Sequence, residues 1–293
     1  ITAGSTAQFK LIQVTNQGEI AAGNKVQTAT DVNVTFSAVE TATDADLTAI
    51  MTSTTGTTNI NSITSITAAG ATTTAAIMAG TTHDNDITVV FAAGTATDAE
   101  LTAINTATGG TQDASLITAI TAADATTTAA LIADGTVTLK GDVLITTSTT
   151  SATMAELKAI NTGTTGFVNA VSVTGITAGT VADATGVLIT NQGTSGDKID
   201  TLASVGVVLS TDTTVTATAL AALNAATTGF LDASAAIATI TAGSTAQLLN
   251  IQVTNQGTSG DTVKTAAGVN VTFGTAEAAT DADLTAIIGS TTG

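Results

Sequence analysis

The sequence predicts an α/β fold: an elongated repeat solenoid of strand and short-helix units with parallel strands. Three observations carry this. First, Thr41-Ala-Thr-Asp-Ala-Asp-Leu-Thr-Ala-Ile50 returns as 95–104 and 278–287, with weaker copies at 151–160 and 215–223. Second, each copy is soon followed by Thr-Gly, at Thr55-Gly56, Thr108-Gly109, Thr165-Gly166, Thr228-Gly229 and Thr292-Gly293. Third, strand-like β-branched runs alternate with short helical patterns, the signature of parallel strands joined by crossovers. The alternative is a parallel β-solenoid in which the Thr/Ala-rich segments are extended; the shortage of strong helix formers such as Lys and Arg keeps it open.

Internal repetition overrides the two-domain prior set by 293 residues, because repeat arrays grow by stacking units. Repeat starts fall at Ile1, Ile66, Ile120, Ile176 and Ile240, each opening Ile-Thr-Ala, which gives one array with units 1–65, 66–119, 120–175, 176–239 and 240–293. Units one and five are near-copies: Ile1–Gln8 matches Ile240–Gln247, and Ile12–Gly18 matches Ile251–Gly257 apart from numbering. The first residue reads as the middle of a repeat and the last unit reads as truncated, so the expectation is a window of a longer array.

Each unit reads as two strand-helix halves. In the first, a strand ends at Ile-Thr-Ala and a helix follows. Ser5-Thr-Ala-Gln8 and Ser244-Thr-Ala-Gln247 fit a capping box, and Thr180-Val-Ala-Asp183 is a weaker version. Asn16-Gln-Gly18, Asn191-Gln-Gly193 and Asn255-Gln-Gly257 read as helix stops with Gly past the end. The second half opens with strands at 32–36, 87–91, 143–145, 205–209 and 269–273. Thr43-x-x-Asp46, Thr97-x-x-Glu100, Thr153-x-x-Glu156 and Thr280-x-x-Asp283 then open helices, with an acid at the positive end of the dipole. Leu47/Ile50, Leu101/Ile104, Leu157/Ile160, Leu220/Leu223 and Leu284/Ile287 form the apolar stripe. A last strand follows Thr-Gly. It carries a column of Asn59, Asp113, Asn169 and Asp232, expected to line up between coils and satisfy turn amides.

Composition narrows the function. Thr is roughly a quarter of the chain, far above ordinary usage. Pro, Cys, Trp and Tyr are absent, the six basic residues are all Lys, and the net charge is −17 with an isoelectric point near 4.1. A nucleic-acid surface needs clustered cations and is not expected. No apolar run is long enough for a transmembrane helix, so membrane insertion is not expected. Without Cys there is no thiol chemistry. His83 is the single His, so no His-based nucleophile-base site can recur through the array, and a solvated loop His is the simpler reading. The absence of Arg, Tyr and a second His also leaves little for proton transfer. The chain therefore reads as a non-enzyme.

No cofactor is expected; Ca2+ is the one metal the residues admit. The candidate ligands are Asp197 and Asp261, in Gly-Thr-Ser-Gly-Asp loops whose turns expose carbonyls. The pairs Asp44/Asp46, Asp98/Glu100 and Asp281/Asp283 are read first as helix caps and only second as calcium ligands. The Thr richness raises ice binding as a further alternative, but Thr-x-Thr recurs only patchily, as at 211–213 and 216–218.

Leu220–Ser234 (LAALNAATTGFLDAS) and Glu156–Asn169 (ELKAINTGTTGFVN) resemble Thr/Ala-rich repeats of very large secreted or cell-surface proteins of cyanobacteria, including a swimming-motility surface protein and type I-secreted relatives. The resemblance covers all five units. It implies an extracellular or cell-surface, repetitive, non-enzymatic role and carries over no catalytic residue; the calcium-binding nonapeptides of some such proteins are absent here. The expected function is a structural protein of a fibre, sheath or surface layer, self-associating end to end, with glycan decoration of Thr as an added feature. The alternative is a spacer in a giant adhesin or surface motility protein.

Overall fold

The structure is a computed structural model and describes residues 1–18, 25–84, 86–274 and 278–293. The chain forms two compact units, one of residues 1–121 and 130–143, the other of residues 122–129 and 144–293. It is α/β, and among the described residues every paired strand runs parallel to its neighbours.

In chain order the elements begin with β1 (Thr2–Gly4), α1 (Thr6–Phe9), β2 (Val34–Phe36), β3 (Glu40–Thr43), α2 (Asp44–Thr52), β4 (Thr58–Asn59) and β5 (Ile63–Ala69). They continue with α3 (Ala71–Gly80), β6 (Thr81–Thr82), β7 (Thr88–Phe91), β8 (Gly94–Thr97), α4 (Asp98–Ala107), β9 (Gln112–Ala114) and β10 (Ile117–Ala123). Next come α5 (Ala125–Ala133), β11 (Val137–Leu139), β12 (Leu144–Thr147), β13 (Ser151–Ala152), α6 (Met154–Thr162), β14 (Val168–Ala170), β15 (Gly175–Ile176) and α7 (Val181–Thr185). The remainder are β16 (Ile199–Thr201), β17 (Gly206–Val208), β18 (Thr214–Thr216), α8 (Ala217–Ala226), β19 (Leu231–Ala233), β20 (Thr239–Gly243), α9 (Thr245–Leu249), β21 (Val263–Thr265), β22 (Asn270–Phe273) and α10 (Asp281–Gly289). The Thr/Ala-rich segments are thus helical, which removes the all-strand alternative. After α1, α7 and α9 the helix continues as a wider π turn, over Lys10–Thr15, Gly186–Thr190 and Asn250–Thr254.

The first unit contains the ladders β1-β2-β4-β6 and β3-β5-β7-β9-β11; the second contains β13-β15-β17-β19-β21 and β18-β20-β22. Rungs are 22 to 25 residues apart where a plain α-helix intervenes, as from Thr58 to Thr81 and Gln112 to Val137. They are 30 to 33 apart where the helix has its π extension, as from Ile176 to Val207 and Thr2 to Thr35. Helices keep a different step: the caps Thr43, Gly70 and Thr97 are 27 residues apart. The helix row therefore slips about three residues per coil against the strands, and a ladder stops when the slip reaches it. The rung after β6 would fall near residue 105, inside α4, and the one after β21 inside α10. The rung before β18 falls inside α7 in the same way.

Two strands, not one, precede most helices. The segments following Thr-Gly are split: Asn59 ends β4 and Ile63 begins β5, with a turn between. The expected Asn/Asp column does not form. Asn59 has Thr35 and Thr82 as rung neighbours, and Asp113 has Val90 and Thr138. Each side chain serves its own turn instead: the Oδ1 atoms of Asn59, Asp113 and Asp232 accept from the amides of Asn61, Ser115 and Ser234 at 3.0, 3.0 and 2.9 Å, a local Asx turn. At Asp113 the Ser115 hydroxyl and amide hold the carboxyl below its usual range.

Aliphatic residues fill the interior rung positions. Ala42, Ile66, Val89 and Val137 form one buried file, and Ala152, Ile176, Val207, Leu231 and Val263 another. Leu47/Ile50, Leu101/Ile104, Leu157/Ile160 and Leu220/Leu223 are fully buried, as the stripe requires. Each such side chain contributes about 1.5–3 kcal/mol by leaving water. Gln112 interrupts the first file and is buried; its Nε2 donates to Asn105 Oδ1 at 3.0 Å.

The third residue of the Ile-Thr-Ala repeat turns the corner from strand to helix. Ala68, Ala122 and Ala242 have φ of 51°, 51° and 53°, a left-handed conformation that costs a residue with Cβ about 1–2 kcal/mol. Strand pairing is offset at two of these corners, between Ile66 and Ala69 and between Ile240 and Gly243.

Candidate functional site

Thr-Gly returns after each copy of the helical repeat, and the structure places it where one coil meets the next. Thr54 Oγ1 donates to Thr30 O and Val32 O of the preceding coil, at 3.2 and 2.5 Å, and accepts from Gly56 N at 2.9 Å. Thr227 repeats this with Ala203 O, Val205 O and Gly229 N at 3.1, 2.7 and 2.9 Å. Thr108 does so with Ile87 O and Gly110 N, and Thr291 with Ala267 O, Val269 O and Gly293 N. Gly166 N donates to Thr164 Oγ1 at 2.8 Å in the same way. The next residue adds a backbone bond: Thr55, Thr228 and Thr292 donate to the carbonyls of Thr30, Ala203 and Ala267.

Glycine is required here by close approach, since its φ is ordinary. A Cβ on Gly56, Gly110 or Gly229 would lie 2.4, 2.3 or 2.3 Å from the carbonyl oxygen of Val32, Ile87 or Val205. In the second repeat the clamp glycine is thus Gly110, one residue beyond the Thr108-Gly109 pairing read from the sequence. We refer to Thr-x-Gly and its two carbonyl partners as the clamp.

The acidic pairs are helix caps. Asp46 N donates to Thr43 Oγ1 at 3.1 Å, and full capping boxes form at Thr97/Glu100, Thr153/Glu156, Thr280/Asp283, Ser5/Gln8 and Ser244/Gln247. The acids of a pair diverge rather than converge. Asp44 is buried and accepts from Gly70 N of the next coil at 2.8 Å, while Asp46 pairs with Lys10. The Lys10 bond outweighs burial and holds the Asp46 carboxyl below its usual range. Asp281 is exposed, and Asp283 faces the Thr280 cap.

Asp197 and Asp261 are exposed, just after left-handed Gly196 and Gly260. Asp261 lies in an open groove of about 490 Å³ with Asn224, Gln247, Asn250 and Asn255. At the place equivalent to Asn250, the π turn that precedes the loop of Asp197 has Gly186. Among the described residues no three or more of His, Cys, Asp and Glu form a group able to hold a metal ion. His83 sits in a loop with its ring nitrogens 3.1 Å from Asp84 O and Met78 O; Asn85 beside it lies outside the described residues.

The Asn-Gln-Gly segments end the π turns, but at Asn rather than through a left-handed Gly. Asn191 and Asn255 have φ near −100°, and Gly193 and Gly257 are not left-handed. A Cβ on Gly193 would lie 3.0 Å from Lys198, and one on Gly257 2.7 Å from Thr262. The intervening Gln turns inward: Gln256 Nε2 donates to Ile251 O and Thr265 Oγ1, at 3.0 and 2.6 Å.

Sequence reasoning missed that the capping residue also binds the preceding helix. Glu100 accepts from Thr72, Glu156 from Thr126, Asp183 from Lys158 and Gln247 from Thr218. The signal was present as a Thr two residues after the previous cap, or a Lys five after it. The exposed Thr214 and Thr216 stack on the half-buried Thr239 and Thr241, and the next rung brings Asn270.

Among the described residues no helix is long and apolar enough to cross a membrane. No family model, curated protein or solved structure matches the chain.

Proposed function

We propose that this chain is a structural, non-enzymatic repeat protein of the cell exterior, its coils stacked in series into an elongated solenoid that contributes to a fibre, sheath or surface layer. The observation that carries this reading is the clamp. The same atoms join one coil to the one before at Thr54, Thr108, Thr227 and Thr291. Chemistry that recurs coil after coil suits a stacked material, in which each repeat gains its stability from its neighbours. The acids fit the same reading, since Asp44, Asp46, Glu100, Glu156 and Asp183 all tie adjacent coils. We extend the same reading to contacts between copies, which associate end to end through the parallel strand pairing that already joins the strands within the chain.

The test is electron microscopy of native material with and without a calcium chelator. Long uniform filaments that persist under chelation are the expected result, because the capping carboxylates are held by protein donors. Filaments that dissolve would overturn metal-free stacking and assign calcium to Asp197 and Asp261. Discrete short rods would overturn the fibre and favour a spacer in a larger adhesin.

A further inference from the structure

We propose that the third residue of the capped helices, N3, is an acid-sensitive latch between consecutive coils. At this position one side chain does two things. Glu100 accepts from its own Thr97 N at 2.9 Å through one oxygen and from Thr72 Oγ1 of the preceding helix at 2.5 Å through the other. Glu156 does the same with Thr153 N and Thr126 Oγ1, both at 2.7 Å. Asp183 joins Thr180 Oγ1 at 2.9 Å to Lys158 Nζ at 2.5 Å, and Asp46 is bonded to Lys10. Both oxygens of each Glu are therefore committed, one within the coil and one between coils. Protonation removes the charge that strengthens both bonds and places a hydrogen on one acceptor.

The ninth helix supplies a neutral version of the same device. Gln247 Oε1 accepts from Ser244 N at 3.1 Å and from Thr218 Oγ1 at 3.2 Å. The fold thus tolerates Gln at N3 with both bonds kept, and that junction does not titrate.

The charged surroundings are few. Asp98 shares the helix with Glu100, while α3 and β8, which pack against it, carry no titratable residue. Asp124 faces Glu156 and opposes its ionisation; Lys158 lies on the same helix and Asp183 on the adjacent α7. Burial pushes the Glu100 and Glu156 carboxyls up, but the bonds from the caps and from Thr72 and Thr126 outweigh it and hold both below the ordinary value of 4.5. A carboxyl depressed in the fold stabilises it fully above its unfolded value, and that contribution is lost as pH falls through the lower, folded value. The latch therefore opens below about pH 4.5.

The experiment follows thermal unfolding of the chain by circular dichroism from pH 7 to pH 3. The double variant Glu100→Gln/Glu156→Gln is expected to fold at pH 7 and to lose less Tm than the unaltered chain on acidification. Gln247→Glu is expected to do the reverse and enlarge the drop. A Tm drop in both variants equal to that of the unaltered chain would overturn the latch. Should the double variant fail to fold, Gln247→Glu decides alone.

Discussion

Gly229→Ala is expected to destabilise the chain by about 3 kcal/mol or more, read as a lower urea midpoint. The added Cβ would lie 2.3 Å from Val205 O and 2.4 Å from Ser204 O, and both are backbone atoms of the neighbouring coil. They cannot move aside without breaking the bonds that Thr227 and Thr228 make to Val205 O and Ala203 O. Overpacking against an immobile backbone belongs among the severe mechanisms of destabilisation. Gly110→Ala meets Ile87 O at 2.3 Å and is expected to behave alike. Gly135→Ala is the control: nothing lies within 4 Å of its Cβ position, and the change should stay within about 0.5 kcal/mol. Equal effects at Gly229 and Gly135 would contradict the clamp.

Thr227→Val preserves shape and deletes only the hydroxyl, and it is expected to cost about 2–3 kcal/mol in the same measurement. Thr227 is 3% exposed. Its hydroxyl donates to Val205 O and Ala203 O and accepts from Gly229 N. The valine leaves the buried Val205 O and Gly229 N without this partner, while Ala203 O keeps its bond from Thr228 N; such desolvation is the larger part of a lost hydrogen bond. Thr138→Val, at an exposed strand position, should be neutral within about 0.5 kcal/mol. The contrast separates two uses of Thr in this chain: β-branched filler on the strands and coil-to-coil donor in the clamp.

What the sequence made legible was what local rules govern. Ser5/Gln8, Thr97/Glu100 and Thr153/Glu156 form boxes because capping is decided within four residues. Leu101 and Ile104 face the core because helical spacing places them on one side. Pairing between coils was not legible. Asn59, Asp113, Asn169 and Asp232 share a place in the repeat, yet the three-residue slip of helices against strands distributes them over different ladders. The left-handed Ala68, Ala122 and Ala242 carry no sequence cue, since Ala rarely adopts that backbone. The acids illustrate both sides. Capping by Asp46 was readable, while its bond to Lys10 in the preceding coil depends on tertiary register. Asp261 was singled out as a loop acid, and its groove with Asn224, Asn250 and Asn255 became visible only in three dimensions.

The central claim is that coils stacked on one another make the material, and X-ray diffraction from aligned native filaments tests it most directly. Strands stacked in this way are spaced about 4.7–4.9 Å apart along the stacking direction. A reflection at that spacing along the filament axis is the predicted result. The same reflection perpendicular to the axis, or none, would contradict end-to-end stacking of coils as the basis of the fibre.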